Sequence, residues 1–120
     1  MRDHTSLLAW QEARATALGS IRLCRDCWVP YGAAIFAQLQ RASLSVQLNI
    51  AEGYSFTRSA TLERHFRIAY GSAIETGELL QVLVDSDIVD RERCSDVVSR
   101  NARTQRLLLG LLHSKRNRIQ

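Results

Sequence analysis

Glu52 and Glu75 are the residues of this chain best placed to do chemistry. Paired carboxylates on facing helices serve as general acid and base, or as ligands of a metal pair. Around them stand Arg41, Asn49 and Arg64, polar groups in stretches that otherwise read as amphipathic helix. Glu52 falls one residue before Gly53, which reads as a helix stop, at the end where the helix dipole disfavours negative charge. That placement calls for a cationic partner. In an antiparallel helix pair, facing residues have numbers of nearly constant sum. One register would then pair Arg41 with Glu75 and Glu52 with Arg64, and bring Asn49 into the same cluster.

Two readings compete for this cluster. Carboxylate-bridged metal bundles use Glu-x-x-His pairs. Here Glu52 is followed at the third position by Ser55, Glu63 by Phe66 and Glu75 by Glu78. The cluster is therefore expected to fix helix register and assembly, as buried polar groups sometimes do. Neither a metal nor a cofactor is expected. No catalytic residue is expected either, because the chain has no G-x-S-x-G, no G-x-x-x-x-G-K and no G-x-G-x-x-G. His65, beside Arg64 and Phe66, is expected at the surface or between helices. Cys24 and Cys27 form a single C-x-x-C and Cys94 stands alone. A redox motif needs a strand-to-helix context, and a zinc site needs a second ligand pair. Reduced thiols at a helix end are the expectation.

The elements that must position these groups are helical throughout, with no strand alternation and no repeat. In the first segment Trp10, Ala13, Ala17, Ile21, Cys24 and Trp28 recur at steps of three or four, from about Ser6 until Asp26. Val29-Pro30-Tyr31-Gly32 then breaks the helix with the only Pro. The second segment, about Ala33 to Glu52, has a stripe of Ile35, Leu39, Ala42, Val46 and Ile50. Phe36, Leu44, Leu48 and Ala51 widen it, so this helix is expected to bury more than one side, in a bundle or an oligomer. The third segment opens near Ser59, a candidate N-cap, and carries Leu62, Phe66, Ala69, Ala73, Gly77, Leu80 and Val84. Its small residues Ala69, Ala73 and Gly77 allow close approach of another helix. The fourth opens at Asp90 as N-cap, with Val89 stapled to Cys94. Short connections between four helices predict one all-α domain over residues 1–120, an up-down-up-down bundle with a basic tail, about 114–120, that frays.

The net charge of +4 is unevenly placed. Residues 1–90 carry eight basic and ten acidic groups, whereas residues 91–120 carry eight basic and two acidic. This asymmetry favours a polyanionic partner. Arg93, Arg100, Arg103 and Arg106, with Lys115, Arg116 and Arg118 in the tail, are the candidate nucleic-acid-binding residues. The aromatic residues are not clustered with these arginines, so contacts are expected to phosphates rather than to bases. No stretch approaches the roughly 20 apolar residues that span a bilayer, and no apolar signal region opens the chain, so a cytoplasmic protein is expected.

Leu8-Ala9-Trp10-Gln11, the run Gln38 to Ser45, Asn49-Ile50-Ala51-Glu52-Gly53, and Phe66 through Gly71-Ser72-Ala73-Ile74-Glu75 together resemble a bacterial four-helix-bundle family. Its members are often encoded in intervening sequences of 23S ribosomal RNA genes. The resemblance covers about residues 1–112. It implies a left-handed four-helix bundle that assembles as a ring-like homopentamer, with no associated catalytic activity. It also implies similarity to the basic accessory proteins of diversity-generating retroelements, which engage a reverse transcriptase and nucleic acid. Arg41, Asn49, Glu52, Gly53, Gly71, Ser72 and Glu75 occupy the family's motif positions. Gln47 stands where the family commonly has Pro, and Cys27-Trp28-Val29-Pro30 is more apolar than the usual connection.

The combined expectation is a non-enzymatic oligomer that binds structured RNA or an RNA–DNA intermediate through its basic fourth helix. The alternative is a protein-interaction scaffold with no direct nucleic-acid binding, and an enzyme ranks behind both.

Overall fold

The computed structural model describes the backbone of residues 3–56 and 59–119, and the side chains of these residues except 59 and 115–119. Four α-helices follow one another: α1 Leu8–Cys27, α2 Ala33–Ser55, α3 Ser59–Asp85 and α4 Arg91–Ile119. A 3₁₀ turn, Pro30–Gly32, leads into α2. Each helix packs against its two neighbours in the ring α1–α2–α3–α4–α1, giving the expected all-α antiparallel bundle, 47 × 23 × 21 Å.

Local chemistry sets the helix ends. α1 stops where Val29, the residue before Pro30, is forced into extended backbone (φ −138°, ψ 151°). α3 ends with a left-handed residue, Asp87 (φ 61°). There Asp87 N–H donates to Val84 O and Ile88 N–H to Leu83 O, a Schellman closure with Asp in the position glycine usually takes. Val89 and Cys94 are both buried in one cluster, as the staple requires. The α4 backbone stays helical through Ile119. The expected Ser59 cap lies at the edge of the undescribed connection.

Two expectations need correction. Gly53 does not end α2, which continues to Ser55. A Cβ on Gly53 would lie 2.7 Å from His65 Cβ and 3.2 Å from the Phe66 ring, so the glycine is there to let α3 approach. The buried arc of α1 is also rotated from the expected stripe. Ala9, Glu12, Ala13, Thr16, Ala17, Ser20 and Leu23 are buried, whereas Ile21 and Trp28 are exposed. Hydroxyl groups made this arc hard to read. Thr16 and Ser20 donate to the carbonyls of Glu12 and Thr16, so their polar atoms are satisfied within the helix and they pack like small apolar residues.

The core has two apolar clusters. One gathers Val46, Ile50, Leu62, Phe66, Ala69, Ala73 and Leu108, and the other Leu23, Phe36, Leu39, Leu80, Leu83 and Val97. Between them, in every helix, the chain places a small buried polar residue: Thr16, Ser43, Thr76 and Thr104, with Asn101 alongside. Thr76 and Thr104 bond back to their own helices as Thr16 does. Asn101 instead donates to Ala73 O across the α3–α4 contact at 2.9 Å. The small-residue strip of α3 makes room for it, since a Cβ on Gly77 would lie 3.3 Å from the Asn101 amide nitrogen. No helix among the described residues is long and apolar enough to cross a membrane.

Candidate nucleic-acid interface

The antiparallel contact of α1 with α4 brings acidic residues of α1 against the arginines of α4. At its centre is Glu12, whose side chain is only 9% exposed. Arg103 Nη1 donates to Glu12 Oε1 at 3.0 Å, and Arg100 Nη1 to Glu12 Oε2 at 3.4 Å. Arg100 Nε also donates to Asp96 Oδ2 at 3.1 Å. That hydrogen bond first, and then the charges of Asp96 and Glu12, hold the Arg100 guanidinium above its ordinary range. Farther along, Arg93 Nη2 donates to Asp26 Oδ2 at 3.2 Å, while Arg25 Nε takes Asp26 Oδ1 at 2.7 Å. The Asp26 carboxyl lies below its usual range, chiefly through the Arg25 hydrogen bond, with Arg93 adding to it.

The seven candidate cations therefore divide into groups. Arg93, Arg100 and Arg103 lie on one α1–α4 face and already hold carboxylates. Arg106 is exposed beside a groove formed with Ser6, Leu7, Leu107 and Leu111, and takes part in no ion pair among the described residues. Lys115, Arg116 and Arg118 have side chains outside the described residues. Sequence reasoning missed the counter-charges Glu12, Asp26 and Asp96, and also Arg22, which lines a shallow pocket with Asp26, Arg93 and Asp96. A signal for Glu12 existed: it stands among Ala9, Ala13 and Thr16, on a face too small-sided to be exposed.

The polar cluster lies on the opposite contact, α2 with α3. Arg41 and Glu75 share a pocket but meet through an intermediary. Arg41 Nη2 donates to Gln38 Oε1 at 3.0 Å, and Gln38 Nε2 donates to Glu75 Oε2 at 2.6 Å. Ser45 and Ser72 bond directly at 2.9 Å. The expected Glu52–Arg64 pair does not form. His65 faces α2 instead, with Nδ1 3.6 Å from Glu52 Oε2 and 3.0 Å from Asn49 Oδ1. The register is one residue from the expected one, because Gly53 admits the His65 Cβ and the Phe66 ring and Arg64 is turned a step around the helix. Arg64 lies exposed beside Glu63 and Arg67. The arrangement joins the two helices through neutral and charged groups.

Among the described residues, no three His, Cys, Asp or Glu side chains gather as a metal site would require. Cys24 and Cys27 are half-buried and Cys94 is buried; all three are free thiols at one end of the bundle. Burial raises the Cys94 thiol above its usual range. The C-x-x-C ends α1, whereas reactive thiols are favoured at helix N-termini.

Comparison with known proteins agrees with this architecture. A crystal structure of a protein of unknown function from the S23 ribosomal protein family of Bacteroides thetaiotaomicron superposes with a TM-score of 0.78. The match covers 87% of this chain and 97% of that one at 18% identity, which establishes a shared fold. No curated protein matches the chain. The family model for the 23S rRNA-intervening sequence protein matches residues 5–110, which include α1, α2, α3, α4 as far as Gly110, and both inter-helix polar clusters. The chain belongs to the 23S rRNA-intervening sequence protein family.

Proposed function

We propose that this protein is a non-catalytic, cytoplasmic, homo-oligomeric bundle that binds nucleic acid, structured RNA or an RNA–DNA intermediate, along its α1–α4 face. The observation that carries this is the pair of guanidinium groups held by the buried carboxylate of Glu12. Arg100 and Arg103 together balance the two carboxylates they hold, Glu12 and Asp96, so the surplus charge of this face comes from Arg22 and Arg106. The remaining N–H donors of Arg100 and Arg103 face outward, since the two side chains are 41% and 57% exposed. An ion-paired arginine loses little further side-chain freedom when it meets a phosphate, so Glu12 orders the donors in advance. Arg22 and Arg106 extend the same face.

Binding of this kind reads phosphates and carries little sequence information. Each protomer makes few contacts, so affinity depends on several copies acting together. The exposed Leu44 and Leu48, one turn apart on α2, support assembly. The family resemblance makes a homopentamer the proposed state and a reverse transcriptase a candidate protein partner.

The test is fluorescence anisotropy of a labelled structured RNA with Arg22→Ala and Arg106→Ala proteins. Both substitutions are at exposed positions and leave the Glu12 pairs intact. Weaker binding with unchanged thermal stability supports the proposal. Unchanged affinity in both would make the α1–α4 face a solvated or protein-facing surface, as a scaffold would have.

A further inference from the structure

We propose that the end of the bundle formed by the α1–α2 and α3–α4 connections is a docking surface for an arginine- or lysine-rich segment of a partner protein. Two aromatic side chains stand out there. Trp28 is 53% exposed and Tyr31 77%, three residues apart around Pro30. Neither supports the core: the buried cluster at this end is closed by Phe36, Leu83 and Val89. The two connections pack together, because a Cβ on Gly32 would lie 3.3 Å from Val29, Phe36 and Ile88 alike. The aromatic turn therefore borders the α3–α4 connection directly.

That connection is acidic. Asp85, Asp87, Asp90 and Glu92 are all exposed, against the single cation Arg91. Arg25, in the last turn of α1, and Arg93, in the first turn of α4, are engaged with Asp26. Folding accounts for Asp90 and Glu92, which sit at the positive end of α4. It does not account for Asp87, which follows the negative end of α3 in a left-handed position that glycine fills with less strain; Asp85, in the last turn of α3, accepts a hydrogen bond from Gln81 Nε2 at 2.8 Å. A carboxylate kept where helix electrostatics and backbone conformation both disfavour it, as at Asp87, marks a binding role.

Exposed aromatic faces beside exposed carboxylates suit a guanidinium or ammonium group, which gains cation–π contact and an ion pair at once. The same carboxylates repel phosphates, so these rings are not a platform for stacking bases. This surface lies at the opposite end of α4 from the basic tail, so a cationic partner and a nucleic acid can be held together.

The test titrates a fluorescein-labelled arginine–glycine peptide of about ten residues into the full-length protein. The expected result is saturable binding, at least about tenfold weaker in Trp28→Ser/Tyr31→Ser and in Asp85→Asn/Asp87→Asn, and weaker for a lysine–glycine peptide. These substitutions are at exposed sites, and circular dichroism checks that each variant is folded. Binding that ignores both double substitutions, equal binding of a glutamate–glycine peptide, or no binding at low salt would overturn the proposal. So would concentration-dependent self-association that the same substitutions abolish, which would assign the surface to a second copy of the chain.

Discussion

Arg103 Nη1 lies 3.0 Å from Glu12 Oε1, joining the fourth helix to the first across 91 positions of sequence. Arg100 reaches the other oxygen of the same carboxylate. The pair thus ties the basic helix to the bundle and sets the spacing of its outward charges. Removing Arg103 leaves a buried carboxylate with one weaker partner. Arg103→Ala should cost about 1 kcal/mol in denaturant unfolding, a figure reduced because the guanidinium is largely in water. Glu12→Gln added to Arg103→Ala should recover most of that loss. Non-recovery in the double-mutant cycle would mean that Arg103 contributes through packing alone.

Two glycines of similar sequence context should respond in opposite directions. Gly53→Ala forces a methyl group into His65 and Phe66, so it should destabilise by about 1–3 kcal/mol despite the better helix propensity of alanine. Gly71 has nothing within 4 Å of its added Cβ and is exposed, so Gly71→Ala should stabilise by up to about 1 kcal/mol. Thermal and chemical denaturation of the two single variants checks the contrast.

Leu44 and Leu48 are 38% and 57% exposed on α2. Introducing charge on this face with Leu44→Glu/Leu48→Glu should yield monomers with unchanged helix content, read by light scattering and circular dichroism. An assembly that survives the change would place the subunit interface elsewhere.

Acid should loosen the α1–α4 contact at Asp26. Its folded-state carboxyl is depressed, first by the Arg25 hydrogen bond. A depressed carboxyl stabilises the fold fully above its unfolded value of about 3.9, and that contribution disappears as pH falls through the lower, folded value. Asp26→Asn should flatten this part of the stability profile between about pH 5 and 2. An identical acid limb in the variant would show that Asp26 is not paired in solution.

Helix number, order and connections were legible in the sequence because turn residues and apolar spacing agreed with one another. Pro30 and Asp90 mark real boundaries. Gly53 misled because a glycine needed for close helix approach looks, in sequence, like one that ends a helix. The inner face of α1 misled because Thr16 and Ser20 satisfy their own hydroxyls and Glu12 is neutralised by residues about ninety positions away. The α2–α3 register came out within one residue, near enough to place Arg41 beside Glu75 but not to choose His65 over Arg64. The basic half of α4 was plain from composition. Its carboxylate partners were not, since pairing across a bundle depends on how each helix is rotated.

The most direct test of nucleic-acid binding on the α1–α4 face is a salt titration. Affinity for a labelled structured RNA, measured by anisotropy from low to near-physiological salt, should fall linearly on a log–log plot. The expected slope is roughly −3 or steeper, and it should become shallower by about 1 per phosphate contact removed in Arg22→Ala or Arg106→Ala. Absence of binding at either salt, or a slope that neither substitution changes, would contradict it.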